Sequence, residues 1–68
     1  MGLVYKIIEL VGTSEKSYED ATQNAVKEAS KTLKALSWFE VNQMRGNIKD
    51  GKVNEYQVIL KVGFKIDG

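Results

Sequence analysis

The hydrophobic positions near the N-terminus predict a β-strand that is apolar on both faces. Residues 4–11 are rich in β-branched side chains, and the Gly12-Thr13-Ser14 run that follows is typical of a turn. The two faces of this strand carry Val4, Ile8 and Leu10 on one side and Tyr5, Ile7 and Val11 on the other. Because neither face is suited to water, we expect the second face to contact another subunit.

A helix is predicted to begin at Ser17. Asp20 follows three residues later, as in a capping box with Asp in place of Glu, and Glu19 adds a negative charge that the helix dipole favours. The apolar positions then recur with the spacing of one helix face: Tyr18, Ala21, Ala25, Ala29, Leu33 and Leu36. The alanines let a sheet approach closely, so packing alone explains this pattern.

Segments 38–48 and 53–66 are predicted to be the two strands of a hairpin. Asp50-Gly51 between them is typical of a two-residue loop, and pairing Lys49 with Lys52 sets the register of the whole hairpin. The resulting pairs are Trp38 with Gly63, Phe39 with Val62, Glu40 with Lys61, Val41 with Leu60, and Met44 with Gln57. Most of these pairs are apolar, oppositely charged, or an aromatic ring over a glycine, as in stable antiparallel sheets.

The last strand is the longest and most apolar, so we expect it to be central. Its even-numbered residues form an unbroken apolar face that can cover the helix: Tyr56, Val58, Leu60, Val62, Phe64 and Ile66. Gly46 and Gly63 are the expected places for a bend or bulge. The sequence therefore predicts one α+β domain over residues 1–68, with a β-α-β-β fold whose antiparallel sheet, in the order 1-3-2, wraps around one helix.

Composition narrows the function classes. The chain has 68 residues and contains no cysteine or histidine, which excludes disulfides, thiolate nucleophiles, Cys/His zinc sites and imidazole-based triads. Its net charge is only +1, so we expect neither nucleic acid nor an anionic membrane as a partner. No long apolar run predicts a membrane span or signal peptide, and we expect a cytoplasmic protein. So small a core also favours an oligomer.

Trp38 is the most informative residue for function. By parity it lies on the sheet face opposite the helix, together with Glu40, Gln57, Ile59, Lys61 and Lys65. An indole can stack on a planar aromatic ligand, and Gln57 offers a donor and an acceptor to a heterocycle. The alternative is that Trp38 is a subunit contact, and composition alone favours this. In the predicted register Trp38 and Gln57 lie about 20 Å apart, so a shared site would need two subunits.

The charged residues do not indicate an enzyme. Arg45 precedes Gly46 on the second predicted strand, and it has two interpretations: a contact to a phosphate or planar ring, or a solvated surface charge, which the residues alone favour. The carboxylates of the predicted strands have no spacing typical of acid/base catalysis or a metal cage. No catalytic and no metal-binding residue is therefore predicted.

Four segments, taken in order, resemble the dodecins, a family of small flavin-binding proteins: VYKIIELVGTS, LSWFEV, RGNI and YQVILKVGFKID. The resemblance implies a hollow dodecamer of cubic symmetry, in which stacked flavins lie between symmetry-related tryptophans. It implies that Trp38 is the stacking residue, that Gln57 hydrogen-bonds the isoalloxazine edge, and that Arg45 contributes to the pocket. Lys65 stands where several bacterial relatives carry arginine, and lysine keeps the charge but lacks the planar fork.

The resemblance also implies a function without turnover: storing or buffering flavins and quenching their photochemistry. FMN is the favoured cofactor, with riboflavin and FAD as alternatives, and coenzyme A is a further ligand of some bacterial members for which no residues are assigned. The expected protein partner is the chain itself, as a homododecamer. The alternative function is a non-catalytic oligomeric interaction or structural module with Trp38 as an interface anchor. A flavoenzyme ranks lowest, because no acid, base or nucleophile surrounds the proposed stack.

Overall fold

A computed structural model describes residues 2–66. Its elements are β1 (Tyr5–Ser14), α1 (Tyr18–Ser30), β2 (Leu36–Lys49) and β3 (Lys52–Lys65). The three strands form one antiparallel sheet in the order β1-β3-β2. The predicted β-α-β-β fold, with the third strand in the centre, is confirmed. Asp67, the last residue of the C-terminal motif, lies outside the described residues.

The core lies between α1 and the sheet. Alternate residues of β3 and small residues of α1 form it: Val58, Leu60, Val62, Ala21, Ala25 and Ala29. The even-numbered face of β3 therefore covers the helix, as its apolar alternation predicts. At the helix N-terminus, the rings of Tyr18 and Tyr56 meet edge to face with their centroids 5.0 Å apart, which extends this packing toward the hairpin.

β1 continues through the three residues that were predicted to form a turn. Gly12 is buried in the strand, where an added Cβ would meet the carbonyl oxygen of Ala21 and lie 2.9 Å from the Cβ of Ala25. The glycine is therefore needed for the close approach of α1 to β1, and the turn prediction at this position is wrong. The chain turns only after Ser14, whose hydroxyl donates to Asp20 Oδ2 at 2.6 Å.

The start of α1 matches the prediction. Ser17 is the N-cap, and its side chain accepts a hydrogen bond from the backbone N–H of Asp20 at 3.0 Å. This bond satisfies one of the backbone donors that a helix N-terminus leaves free. The acidic side chains of Glu19 and Asp20 lie in the first turn, where the helix dipole favours negative charge.

The end of α1 differs from the prediction, because the helix stops at Ser30 and does not include Leu33 or Leu36. The Ser30 hydroxyl donates to the carbonyl of Lys27 at 2.7 Å, and the turn that follows is closed by shorter-range backbone bonds. Ala35 then adopts a left-handed conformation with φ of 60°, which a right-handed helix cannot include. Leu36 instead begins β2.

The hairpin between β2 and β3 is the one that its loop residues predict. Asp50 and Gly51 have φ values of 53° and 75°, the left-handed pair of a two-residue turn whose twist matches that of the strands. Lys49 and Lys52 are paired across it. The Asp-Gly signal therefore predicted both the turn and the register at the hairpin end.

Three bulges interrupt the pairing of β2 with β3. Ser37 and Asn42 are the extra residues on β2, and Asn54 is the extra residue on β3. Neither Gly46 nor Gly63 is itself a bulge residue, because both are paired within the ladder, so the bulge expected at these glycines is wrong. The Ser37 bulge lies on the facing strand, next to the pair of Trp38 with Gly63. In each case the bulge falls on a polar residue whose side chain does not contribute to the core.

The bulges on the two strands have opposite effects on the register. Residues 38–41 have the partners that were predicted, but between the two asparagine bulges the pairing is shifted by one residue. Gln57 consequently pairs with Arg45, and its predicted pairing with Met44 is wrong. A one-residue shift exchanges the two faces of a strand. Met44 therefore lies opposite the buried Val58, while Arg45 lies on the other face.

Candidate functional site

The candidate site lies on the outer face of the sheet, which we define as the face opposite α1. Residues paired across an antiparallel sheet share a face, so the register assigns this face directly. Four cross-strand rows form it: Ile7, Gly63 and Trp38; Glu9, Lys61 and Glu40; Val11, Ile59 and Gln43; Thr13, Gln57 and Arg45. Lys65 follows two residues after Gly63 and is paired with Tyr5 on the same face. The outer face thus holds all four predicted site residues, including Arg45, whose face was left open.

The indole of Trp38 fills the space above Gly63. A Cβ added to this glycine would collide with the Cε2 and Cζ2 atoms of the indole, and its third-nearest atom, Cη2, would lie 2.7 Å away. The sheet thus supports Trp38 from below, while 43% of the residue remains exposed. The arrangement presents a broad apolar ring that is still partly open to solvent.

Tyr5 completes the aromatic group at this end of the sheet. Its ring centroid lies 5.0 Å from that of Trp38, and the two ring planes are inclined at 55°. Sequence reasoning placed Tyr5 on the second face of the first strand but gave it no role in a site. The contact depends on β1 and β2 both flanking β3, so it follows from the strand order and not from any local motif.

A chain of side-chain hydrogen bonds orients the amide of Gln57. Arg45 Nε donates to Gln57 Oε1 at 2.8 Å, and Gln57 Nε2 donates to Glu55 Oε1 at 2.9 Å. The amide oxygen therefore points toward Arg45 and the amide nitrogen toward Glu55. One N–H and one oxygen lone pair of Gln57 remain for a ligand. Sequence reasoning missed Glu55, although its position two residues before Gln57 on one strand was a usable signal.

The site residues form two groups at opposite ends of the outer face. Trp38 and Lys65 lie near Gly63, whereas Arg45 and Gln57 form a row six residues away along β3, or about 20 Å at the rise of a strand. A single chain thus does not bring the indole and the amide to one small ligand. A site that uses both needs residues from two subunits.

Lys65 also borders an open depression at the end of the sheet. Lys6 and Lys34 lie on its other sides, and the space has a volume of about 480 Å³. The apolar part of the lining comes from Phe64 and Ile66, which flank the last residue of β3, and from Leu33 and Ala35 on the connection before β2. This end of the molecule therefore combines three positive charges with apolar surface.

Residues 2–66 contain neither a cluster of metal-binding side chains nor a membrane-spanning helix. No three acidic side chains in this part of the chain lie close enough together to hold a metal ion. No helix among the same residues is long and apolar enough to cross a membrane. The outer face remains the surface on which the candidate functional residues are concentrated.

Comparisons with known proteins agree on one family. The family model described as Dodecin matches residues 4–67. A dodecin from Thermus thermophilus is 55% identical over 67 residues, which are 98% of this chain and 97% of the relative. Crystal structures of the W38F and R45A mutants of T. thermophilus dodecin each match with a TM-score of 0.95 and 52% identity, covering 98% of this chain and 100% of theirs.

A dodecin from Streptomyces coelicolor gives the same result at 48% identity. Its structure matches with a TM-score of 0.95 and covers 97% of this chain and 94% of the relative. The similarity therefore includes the whole fold, from β1 to β3, and both ends of the outer face. On sequence and structure together, the chain belongs to the dodecin family.

Proposed function

We propose that the protein stores or buffers flavins as a homododecamer, holding stacked flavins between the Trp38 side chains of symmetry-related subunits. The observation that carries this proposal is the support of Trp38 by Gly63, which leaves a wide indole surface open on a face that α1 does not cover. An indole held in this way stacks favourably on another planar aromatic ring. A flavin has such a ring. When a bound flavin is excited by light, a stacked indole can quench the excited state by electron transfer.

The residues of the outer face fit a flavin chemically. An isoalloxazine ring needs an apolar planar surface and hydrogen-bond partners at its polar edge. Trp38 provides the surface. Gln57, held by Arg45 and Glu55, provides an oriented amide that has a free donor and a free acceptor. The guanidinium group of Arg45 adds a positive charge at the same end of the face.

The ligand that suits these charges best is FMN. Arg45 and Lys65 are both exposed cations on the outer face, and cationic side chains favour a phosphate over an uncharged sugar alcohol. Riboflavin and FAD carry the same ring and remain alternatives for the stack. Coenzyme A is a further ligand to test, and we assign no residues to it.

Two features of the single chain support the proposed assembly. The indole and the amide lie at opposite ends of the outer face, so a site that contains both must be shared between subunits. The hairpin also extends beyond α1 and exposes apolar residues, with Met44, Ile48 and Val53 at 58%, 75% and 61% exposure. An apolar surface of this kind marks a protein interface. A closed shell of identical subunits covers such surfaces and creates the shared sites together.

A titration of the flavin-free protein tests this proposal. Riboflavin and FMN are each titrated while flavin fluorescence is followed, and light scattering gives the particle mass of the same sample. Quenching that saturates near one flavin per subunit, on a particle of about twelve chains, supports the proposal. A correctly assembled particle that leaves flavin fluorescence unchanged would overturn it. Trp38 would then be an interface anchor in an oligomeric structural module.

A further inference from the structure

Tyr5 and Trp38 belong to the two edge strands of the sheet, and yet their rings are in contact. Their centroids lie 5.0 Å apart, although β3 separates β1 from β2. Neighbouring strands are spaced by about 4.8 Å, so the backbones of the two edge strands are about 10 Å apart. Both side chains must therefore lean inward across the central strand.

Gly63 makes this approach possible. It is paired with Trp38 on one side and with Ile7 on the other, so it is the residue of β3 that the indole must cross. Any larger residue would fill the place that the indole occupies. The glycine supports the ring from below, but it cannot stop the ring from swinging sideways or outward. That restraint has to come from a neighbouring side chain on the outer face.

Tyr5 is placed to provide the restraint. A half-exposed tryptophan has several staggered rotamers available, and most of them would carry the indole away from β3. The centroid of the Tyr5 ring lies at a distance from the indole that aromatic pairs favour. The two ring planes are inclined at 55°, so the tyrosine ring packs against the indole and restricts its movement. Tyr5 is paired with Lys65, whose flexible chain offers no comparable surface.

We propose that Tyr5 is a positioning residue that holds the indole of Trp38 over Gly63 before any ligand arrives. The restraint of the indole by Tyr5 is a property of the ligand-free protein. Its consequence for the binding of a planar aromatic ring rests on the proposed function. A side chain that is already fixed in its binding rotamer loses less entropy when the ligand stacks on it. Because the contact is made between rings, phenylalanine should replace tyrosine and an aliphatic residue should not.

The chain offers a direct measurement of this effect, since Trp38 is its only tryptophan. The tryptophan bands of the near-ultraviolet circular dichroism spectrum report on how firmly this one indole is held. We expect Tyr5→Leu to lose most of the intensity of these bands in the flavin-free protein and to bind riboflavin about fivefold to tenfold more weakly. Tyr5→Phe should keep the bands and bind within about twofold of the wild type. Riboflavin is the probe because it has no phosphate that Lys65 or Arg45 could contact.

Tyr18→Leu is the matched control. It removes an aromatic contact of the same centroid distance, to Tyr56, but on the helix side of the sheet and without touching Trp38. The tryptophan bands and the riboflavin affinity should be unchanged in this variant. Light scattering on each sample confirms that the particle is assembled.

Each outcome distinguishes this inference from the proposed function. Tyr5→Leu with wild-type tryptophan bands and wild-type riboflavin affinity would overturn the inference, and so would a Tyr5→Phe variant that loses both. Should Tyr5→Leu fail to assemble, the flavin-free wild type decides, because weak or absent tryptophan bands would show an indole that nothing holds. If the wild type has strong bands that Tyr5→Leu abolishes but binds no riboflavin, the proposed function fails and the positioning role stands.

Discussion

The indole of Trp38 lies over Gly63, in the space that any side chain at this position would need. A glycine in the interior of a central strand weakens the sheet unless close approach of another group requires it. Here the approaching group is the side chain of the residue paired with it across the ladder. The two residues therefore act as one unit, in which the glycine makes room for the exposed aromatic surface.

Gly63→Ala is expected to weaken flavin binding by about tenfold or more while the fold is retained. The three atoms nearest to the added Cβ all belong to the Trp38 side chain, so the indole must move and the backbone need not. A fluorescence-quenching titration measures the affinity. Gly2→Ala is the control, because its Cβ would meet nothing within 4 Å. Wild-type affinity in Gly63→Ala would show that the position of the indole over β3 is unimportant for binding.

Trp38→Ala is expected to lose most flavin affinity and to leave the assembly intact. Stacking of one aromatic side chain on a planar base contributes about 1–3 kcal/mol, which corresponds to about fivefold to about 150-fold in affinity. The residue is 43% exposed and lies outside the core between α1 and the sheet, so its removal leaves the packing of this core intact. FMN titration and light scattering check the two halves of this prediction. Binding of FMN as tight as in the wild type would mean that the assigned site is wrong.

The pairing of Trp38 with Gly63 could be predicted because the hairpin loop sets the register and the apolar alternation of β3 assigns the faces. The pairing of Arg45 with Gln57 could not. It depends on two bulges at Asn42 and Asn54 that cancel each other. Asparagine is depleted in strands, but Asn47 of the same hairpin is paired regularly, so an asparagine by itself does not mark a bulge.

The C-terminal end of the helix could not be predicted from the sequence for a similar reason. Leu33 and Leu36 continue the helical spacing, and they do contribute apolar surface near the helix, but they do so from the connection and from β2. The change of direction occurs at Ala35, and alanine has no preference for a left-handed conformation. Tyr5 was missed as a site residue because its contact with Trp38 arises only when three strands are assembled.

Gly12→Ala is expected to destabilise the fold by about 3 kcal/mol. The added methyl group would meet a backbone carbonyl, that of Ala21, which cannot rotate away as a side chain can. Relief requires α1 to move away from β1, and this would loosen the packing of the alanine face. Urea unfolding followed by far-ultraviolet circular dichroism measures the loss. The neighbouring substitution Thr13→Ala, at an exposed position, is the control, and equal stability of the two variants would contradict the close approach.

Ala35→Gly is expected to stabilise the protein slightly. A left-handed conformation costs a non-glycine residue about 1–2 kcal/mol, while glycine adds about 0.5–1 kcal/mol of backbone entropy to the unfolded chain. The net gain is between about zero and about 1.5 kcal/mol, visible as a higher urea midpoint. Ala29→Gly, in the buried face of α1, should instead lower the midpoint. A lower midpoint in Ala35→Gly would contradict the left-handed conformation at this connection.

Lys65→Arg is expected to raise the affinity for FMN by about threefold or more and to leave that for riboflavin unchanged. Lys65 is exposed on the outer face, two residues beyond the glycine that supports Trp38, so its charge lies at the stacking end of the site. A guanidinium group binds a phosphate through two parallel hydrogen bonds, whereas an ammonium group acts as a point charge. The two affinities are measured by fluorescence quenching at low ionic strength, where such contacts are least screened.

Lys52→Arg, at the hairpin end of β3, makes the same chemical change far from Trp38 and serves as the control. Comparing the two ligands separates the two ways in which an arginine at position 65 can act. A gain for FMN alone, reduced by added salt, indicates a phosphate contact. An equal gain for riboflavin would instead indicate stacking of the guanidinium on the flavin ring, because riboflavin has the ring but no phosphate. No gain for either ligand would place Lys65 outside the flavin site, leaving Arg45 as the charged residue that favours FMN.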